Sequence, residues 1–179
     1  MVAFTRAEES NRAIEDGRLA LARGAWAEAR ARFADALAQE ETPEAFEGAG
    51  LAARYELDAQ AAIEAHERGF RLARSGGDAA TAARLAIQLC HDAYAFRGPA
   101  EASGWVERAA LLVEGQPPSV ATVWVTLLRA HFALADHHPD VAREGSERAW
   151  LRSNVSAEGG SRDGPRACNC DAHVTEKAR

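Results

Sequence analysis

Gly17-Arg-Leu-Ala20-Leu-Ala-Arg-Gly24-Ala-Trp26-Ala-Glu-Ala29-Arg-Ala-Arg-Phe33-Ala-Asp-Ala36, with Thr42-Pro43 close behind it, is the most informative run of this chain. It reads as two short helices and the turn between them. Gly17 and Ala20 are small, so the two helices can approach closely. Gly24 suits the turn, where a side chain would disfavour the required φ. Ala29 and Ala36 fall on one stripe at helical spacing. Trp26 and Phe33 are large enough to fill the space between this hairpin and the next. Pro43 suits the first turn of a following helix, with Thr42 placed to cap it.

The same phrase returns about 33 residues later. Gly17 falls on Gly50, Ala20 on Ala53, Ala29 on Ala62, Phe33 on His66, Ala36 on Gly69 and Leu37 on Phe70. A period of this length with two helices per unit marks a repeat architecture. The second unit lacks the turn glycine and carries Leu57 in its place. Extending the frame predicts four helix pairs: 7–22 with 26–40, 43–55 with 58–74, 79–96 with 99–114, and 119–135 with 139–150. The breaks between them are Ser75-Gly76-Gly77-Asp78, where Asp78 is placed as an N-cap, then Gly98-Pro99, Gln116-Pro117-Pro118-Ser119 and Asp136-His137-His138-Pro139. The third and fourth units are longer and depart from the strict period.

These residues resemble the tetratricopeptide (TPR) family over about residues 7–150. The resemblance implies an all-α fold, a right-handed superhelical stack of antiparallel helix pairs (an α-solenoid) of about four pairs. A narrower resemblance is carried by Leu21-Ala-Arg-Gly-Ala-Trp-Ala-Glu-Ala-Arg30, Glu41-Thr-Pro-Glu-Ala-Phe-Glu-Gly48 and Gly104-Trp-Val-Glu-Arg-Ala-Ala-Leu-Leu112. These segments are similar to the helical region of bacterial LuxR-type transcription regulators. That family carries a C-terminal DNA-binding helix-turn-helix, which has no counterpart in these 179 residues. The resemblance implies a piece of a regulator's sensory region.

Composition agrees with a helical chain. The hydrophobic fraction is 47%, much of it alanine, and only 7% of residues are aromatic, too few for an ordinary β-sandwich. The net charge of -6 argues against a nucleic-acid surface spread over the chain. Arg6, Glu8 and Glu9 near the start rule out a secretory signal within the first residues. No apolar stretch approaches the roughly 20 residues of a membrane helix. The expectation is a cytoplasmic, soluble protein without a cofactor, and Asn154-Val155-Ser156 is read as a chance glycosylation pattern. After Trp150 the text changes character. Glu158-Gly-Gly-Ser-Arg-Asp-Gly-Pro165 breaks any helix, so residues 1–150 are expected to form the helical domain and 151–179 a disordered tail. The abrupt loss of pattern near Glu144–Trp150 suggests a truncated or frame-shifted relative of a longer protein.

Residues with reactive or ligating side chains are few, and each has a plain reading. Cys168-Asn169-Cys170-Asp171 with His173 has zinc-ligand types, but at Cys-x-Cys spacing and without a second pair, so it is read as tail. His137, His138 and Asp140 lie on a turn and read as a solvated loop. Cys90-His91-Asp92 are helix neighbours pointing about 100° apart and cannot relay a proton among themselves. Cys90 is expected to be a small core residue and His91 half-buried. No phosphate loop, dinucleotide fingerprint or serine elbow is present. Gly76-Gly77-Asp78 reads as a linker. The chain is therefore not expected to be an enzyme.

Trp105 and Trp150 sit at helical positions expected to be core. Trp124 differs: in the repeat frame it falls on the first helix of its pair. The resemblance places the first helices along a concave groove where partners bind. The groove candidates are Asn11, Arg18, Glu44, Glu47, Arg54, Tyr55, His91, Trp124 and His131. Their mixed charge and aromatic anchor suit a protein or peptide partner. The expected function is a protein-interaction module, and the alternative is a small-molecule sensor with its pocket between units three and four. An uncovered last unit would also permit homodimerisation.

Overall fold

A computed structural model describes residues 5–136, 138, 140, 143–148, 150 and 151. The described chain is helical: α1 (Arg6–Ala22), α2 (Trp26–Gln39), α3 (Pro43–Tyr55), α4 (Ala59–Ser75), α5 (Ala79–Phe96), α6 (Pro99–Val113) and α7 (Val120–Ala135). Residues 143–148 are helical as well, within the span expected for an eighth helix. The bounds follow the expected ones to within a residue or so. Each helix packs against the next, and α1 touches α3, α3 touches α5 and α5 touches α7. The odd-numbered helices thus lie side by side.

Local chemistry explains the boundaries. Thr42 accepts the amide of Ala45 and Pro43 opens α3. Asp58 and Asp78 cap α4 and α5 in the same way, by accepting from Ala61 and Thr81. Thr5 and Ser119 build capping boxes at α1 and α7. The helix ends repeat one hydrogen-bond pattern. The amides of Ala25, Asp58, Asp78 and Gly98 reach back to the carbonyls of Ala20, Ala53, Ala73 and Ala93, four buried alanines. The turn within each of the first two hairpins needs a residue in the left-handed region. Gly24 supplies it at φ 75°, and Leu57 takes φ 61° at the equivalent place. The turn geometry therefore survives the loss of its glycine.

The core is built from the repeat. Ala20, Ala29, Phe33, Ala36 and Ala52 are fully buried in one cluster. A Cβ on Gly17 would lie 2.8 Å from the Phe33 ring, and one on Gly48 only 2.1 Å from it. Phe33 thus fills a slot between α1 of its own hairpin and α3 of the next. One period on, a Cβ on Gly50 would lie 2.4 Å from the His66 ring. Gly17 and Gly50 occupy matching environments, each under a ring from the second helix of its pair.

One expectation needs correction. Trp150 is not core: it is 64% exposed. Helical spacing gave it an inward position only if the repeat continued unchanged to that point, and the last unit departs from the period. Trp26 sits between the first two hairpins as expected, less deeply than Phe33. It is half-buried and stacks on the exposed Tyr55 at 4.3 Å between ring centres. Trp105 is partly buried, edge-on to Phe70, with the Arg108 guanidinium over its ring. His137, Asn154-Val155-Ser156 and Cys168-Asn169-Cys170-Asp171 with His173 lie outside the described residues, as does the expected tail apart from Leu151.

Candidate functional site

The nine groove candidates all stand on odd-numbered helices: Asn11 and Arg18 on α1, Glu44, Glu47, Arg54 and Tyr55 on α3, His91 on α5, Trp124 and His131 on α7. Contact between successive odd helices brings several of them together. Arg54 reaches from α3 to α5, His91 meets Trp124 edge-on at 6.0 Å, and His131 meets Tyr94 at 5.6 Å. Asn11 and Arg18 are exposed, and Arg18 pairs along its own helix with Glu15. Glu44 is half-buried in the first turn of α3.

Glu47 and Arg54 are not free charges on a surface. Arg54 Nε donates to Asp92 Oδ1 at 2.5 Å, and its terminal nitrogen donates to the carbonyl and side-chain oxygens of Gln88 at 2.9 and 3.0 Å. Asp92 is fully buried, and its other oxygen lies 2.5 Å from His66 Nδ1. His66, also fully buried, places Nε2 3.2 Å from the Glu47 carbonyl. The Glu47 carboxylate accepts Arg84 Nε at 2.8 and 2.9 Å. A connected polar network thus joins α3, α4 and α5. It leaves no buried side-chain nitrogen or oxygen without a partner among the described residues.

Electrostatics follow from this packing. Burial raises the Asp92 carboxyl, but the His66 hydrogen bond and the His66 and Arg54 charges outweigh it, so Asp92 titrates below its ordinary range. Burial, reinforced by the Arg54 charge, lowers His91. Cys90 is buried and pushed up to about 11 by desolvation, so its thiol stays protonated and unreactive at neutral pH. Cys90, His91 and Asp92 point to three environments, the core, Trp124 and His66.

Sequence reading missed His66, Gln88 and Asp92 as a functional group of residues. One signal was available: the repeat frame sets His66 on Phe33, and a polar ring at a core position demands a buried partner. The identity of that partner, 26 residues away, depends on the register of α4 against α5.

Three exposed rings stand on odd-numbered helices. Tyr55, Tyr94 and Trp124 are each about half exposed, at 54%, 53% and 46%. A separate cleft of about 810 Å³ lies on the other side of α7, between α6 and the helical residues Gly145 and Arg148. Thr122, Thr126, Val125 and Arg129 line its α7 wall. No described helix is long and apolar enough to cross a membrane. No protein-family model matches the chain, and no characterised protein or solved structure matches it.

Proposed function

We propose that this chain is a protein-binding module of the tetratricopeptide kind, a right-handed superhelical stack of helix pairs. On this reading the face lined by α1, α3, α5 and α7 holds a segment of another protein. The observation that carries the reading is the side-by-side contact of the odd helices, across which the half-exposed rings of Tyr94 and Trp124 meet His131 and His91. Large, rigid aromatic side chains are effective anchors at low entropic cost, and Arg18, Glu44 and His131 supply polar contacts around them. The resemblance of three segments to LuxR-type regulators supports reading the module as a piece of a transcription regulator's sensory region.

Selection from a displayed random-peptide library tests the proposal. Selected peptides should share a pattern, and the double variant Tyr55→Ala, Tyr94→Ala should weaken them by at least about tenfold with helicity retained. Peptides that bind the variant as well as the parent would remove the groove from the account.

A second reading, a small-molecule sensor, is favoured by the cleft between α6, α7 and residues 145–148. It lies between units three and four, and its volume falls within the range of ordinary ligand pockets. Thermal-shift screening against metabolites would support it if a stabilising compound lost its effect in Thr126→Phe, which fills the cleft. A compound whose shift survives that filling does not bind there.

A further inference from the structure

The hydrogen bonds of His66 fix more than its place in the core. α4 packs against both α3 and α5, and the fully buried imidazole meets an acceptor on each of them. Nδ1 lies 2.5 Å from Asp92 Oδ2 on α5, and Nε2 lies 3.2 Å from the Glu47 carbonyl on α3. A neutral imidazole has one N–H and one bare nitrogen. In either neutral form a nitrogen lone pair would face an oxygen lone pair, in a place closed to water.

The charges around the ring are fixed by their own partners. Asp92 Oδ1 accepts Arg54 Nε of α3 at 2.5 Å, which keeps the carboxyl ionised and able only to accept. The Glu47 carboxylate of α3 is held by Arg84 of α5. His91, beside Asp92 on α5, is lowered by burial and is neutral at pH 7 and above. Nor can the ring turn away. Gly50 of α3 lies beneath it, and a Cβ there would be 2.4 Å from Nε2.

We infer that His66 holds both ring protons and is a proton-dependent latch, bridging Asp92 of α5 to the Glu47 carbonyl of α3. With both protons the ring joins three helices. On losing one, it keeps its bond to Asp92 and turns a lone pair on the Glu47 carbonyl. The pinned ring cannot relieve that contact, so α3 opens from α4 while α4 stays on α5. The unfolded chain gives up the same proton near the ordinary histidine value of about 6.5. Above that pH the folded chain binds one proton more than the unfolded chain. The latch is therefore complete below about pH 6.5, and its contribution is lost as pH rises. The inference does not rest on peptide binding in the groove.

Two readouts on the full chain test it, with the triple variant Arg54→Met, His66→Phe, Asp92→Leu as the reference that lacks the latch. In protein labelled with nitrogen-15 histidine, at about pH 7.5, the ring signals absent from the reference should show two N–H nitrogens. In urea melts the folding constant of the parent should fall, relative to the reference, by about tenfold between pH 7 and 8. Cys90, pushed up to about 11, is common to both chains and cancels. The His66 signals are also assignable in the parent alone, from nuclear Overhauser contacts to the Gly50 α-protons, so the first readout stands even if the reference does not fold. A His66 ring with one bare nitrogen at that pH would overturn the inference. So would equal pH slopes for parent and reference.

Discussion

Phe33 and His66 stand 33 residues apart, at the same place in successive hairpins, and both are fully buried over a glycine. Around Phe33 everything is apolar or small: Gly17, Gly48 and a cluster of alanines. Around His66 the same slot is polar, with Asp92 and the Glu47 carbonyl on the ring and Arg54 behind the carboxylate. The two junctions show that the repeat specifies a ring over a glycine and leaves its chemistry open. An apolar ring needs only close packing. An imidazole needs acceptors for its N–H groups, and those acceptors need cations, so one exchange in the repeat recruits residues from two further helices.

Removing the key member of each junction should have the largest effects. Phe33→Ala leaves a cavity, and Asp92→Ala leaves Arg54 and His66 facing a void. Each is expected to cost about 3–5 kcal/mol in urea-melt stability. The triple change Arg54→Met, His66→Phe, Asp92→Leu imitates the first junction in the second. It should restore most of the stability lost in Asp92→Ala, because an apolar replacement of a whole buried network is often near neutral. A triple variant less stable than Asp92→Ala would show that the slots are not equivalent.

Next come the glycines. Gly48→Ala meets a ring with nowhere to move and should cost about 1–3 kcal/mol by overpacking. Gly50→Ala, beneath His66, should cost at least as much, because shifting the ring also stretches its bonds to Asp92 and Glu47. A smaller loss for Gly50→Ala would mean that the polar junction is the softer of the two.

Acid should separate the junctions without mutation. The native carboxyl of Asp92 titrates below its unfolded value, so the unfolded chain takes up the proton first. Its contribution is complete above about pH 4 and is lost as pH falls through the lowered native value. Melts at falling pH should show a steeper loss for the parent than for Asp92→Asn. Parallel curves would contradict this role of Asp92.

The smallest effect is at the turns. Leu57 holds a left-handed φ that costs a branched residue roughly 1–2 kcal/mol, while glycine loses more chain entropy on folding. Leu57→Gly should raise stability by about 0.5–1 kcal/mol, and Gly24→Leu should lower it by a similar amount. An unchanged melting temperature for both would mean that a side chain strains neither turn.

Much of the helical layout was legible before any coordinates. Thr42-Pro43, Asp78 and Gly98-Pro99 are local signals, and each stands at the helix boundary it predicts. The buried alanines at 20, 29 and 36 and the paired glycines at 17 and 50 were readable from spacing. Trp150 was not, because spacing assigns a face only while the period holds. Nor was the change of role of Glu47 and Arg54. Both read as groove charges, and both are held within the stack by Arg84, Asp92 and Gln88.

The amino-acid order by itself determined where helices start, where they stop and which side of each is small enough to bury. Those properties depend on neighbours within a turn or two, through caps, turn dihedrals and the 3.6-residue period. Tertiary structure alone decided that His66 meets Asp92 and that Arg54 turns inward. These are contacts between segments 26 or more residues apart, and they are set by how one helix slides and rotates on the next.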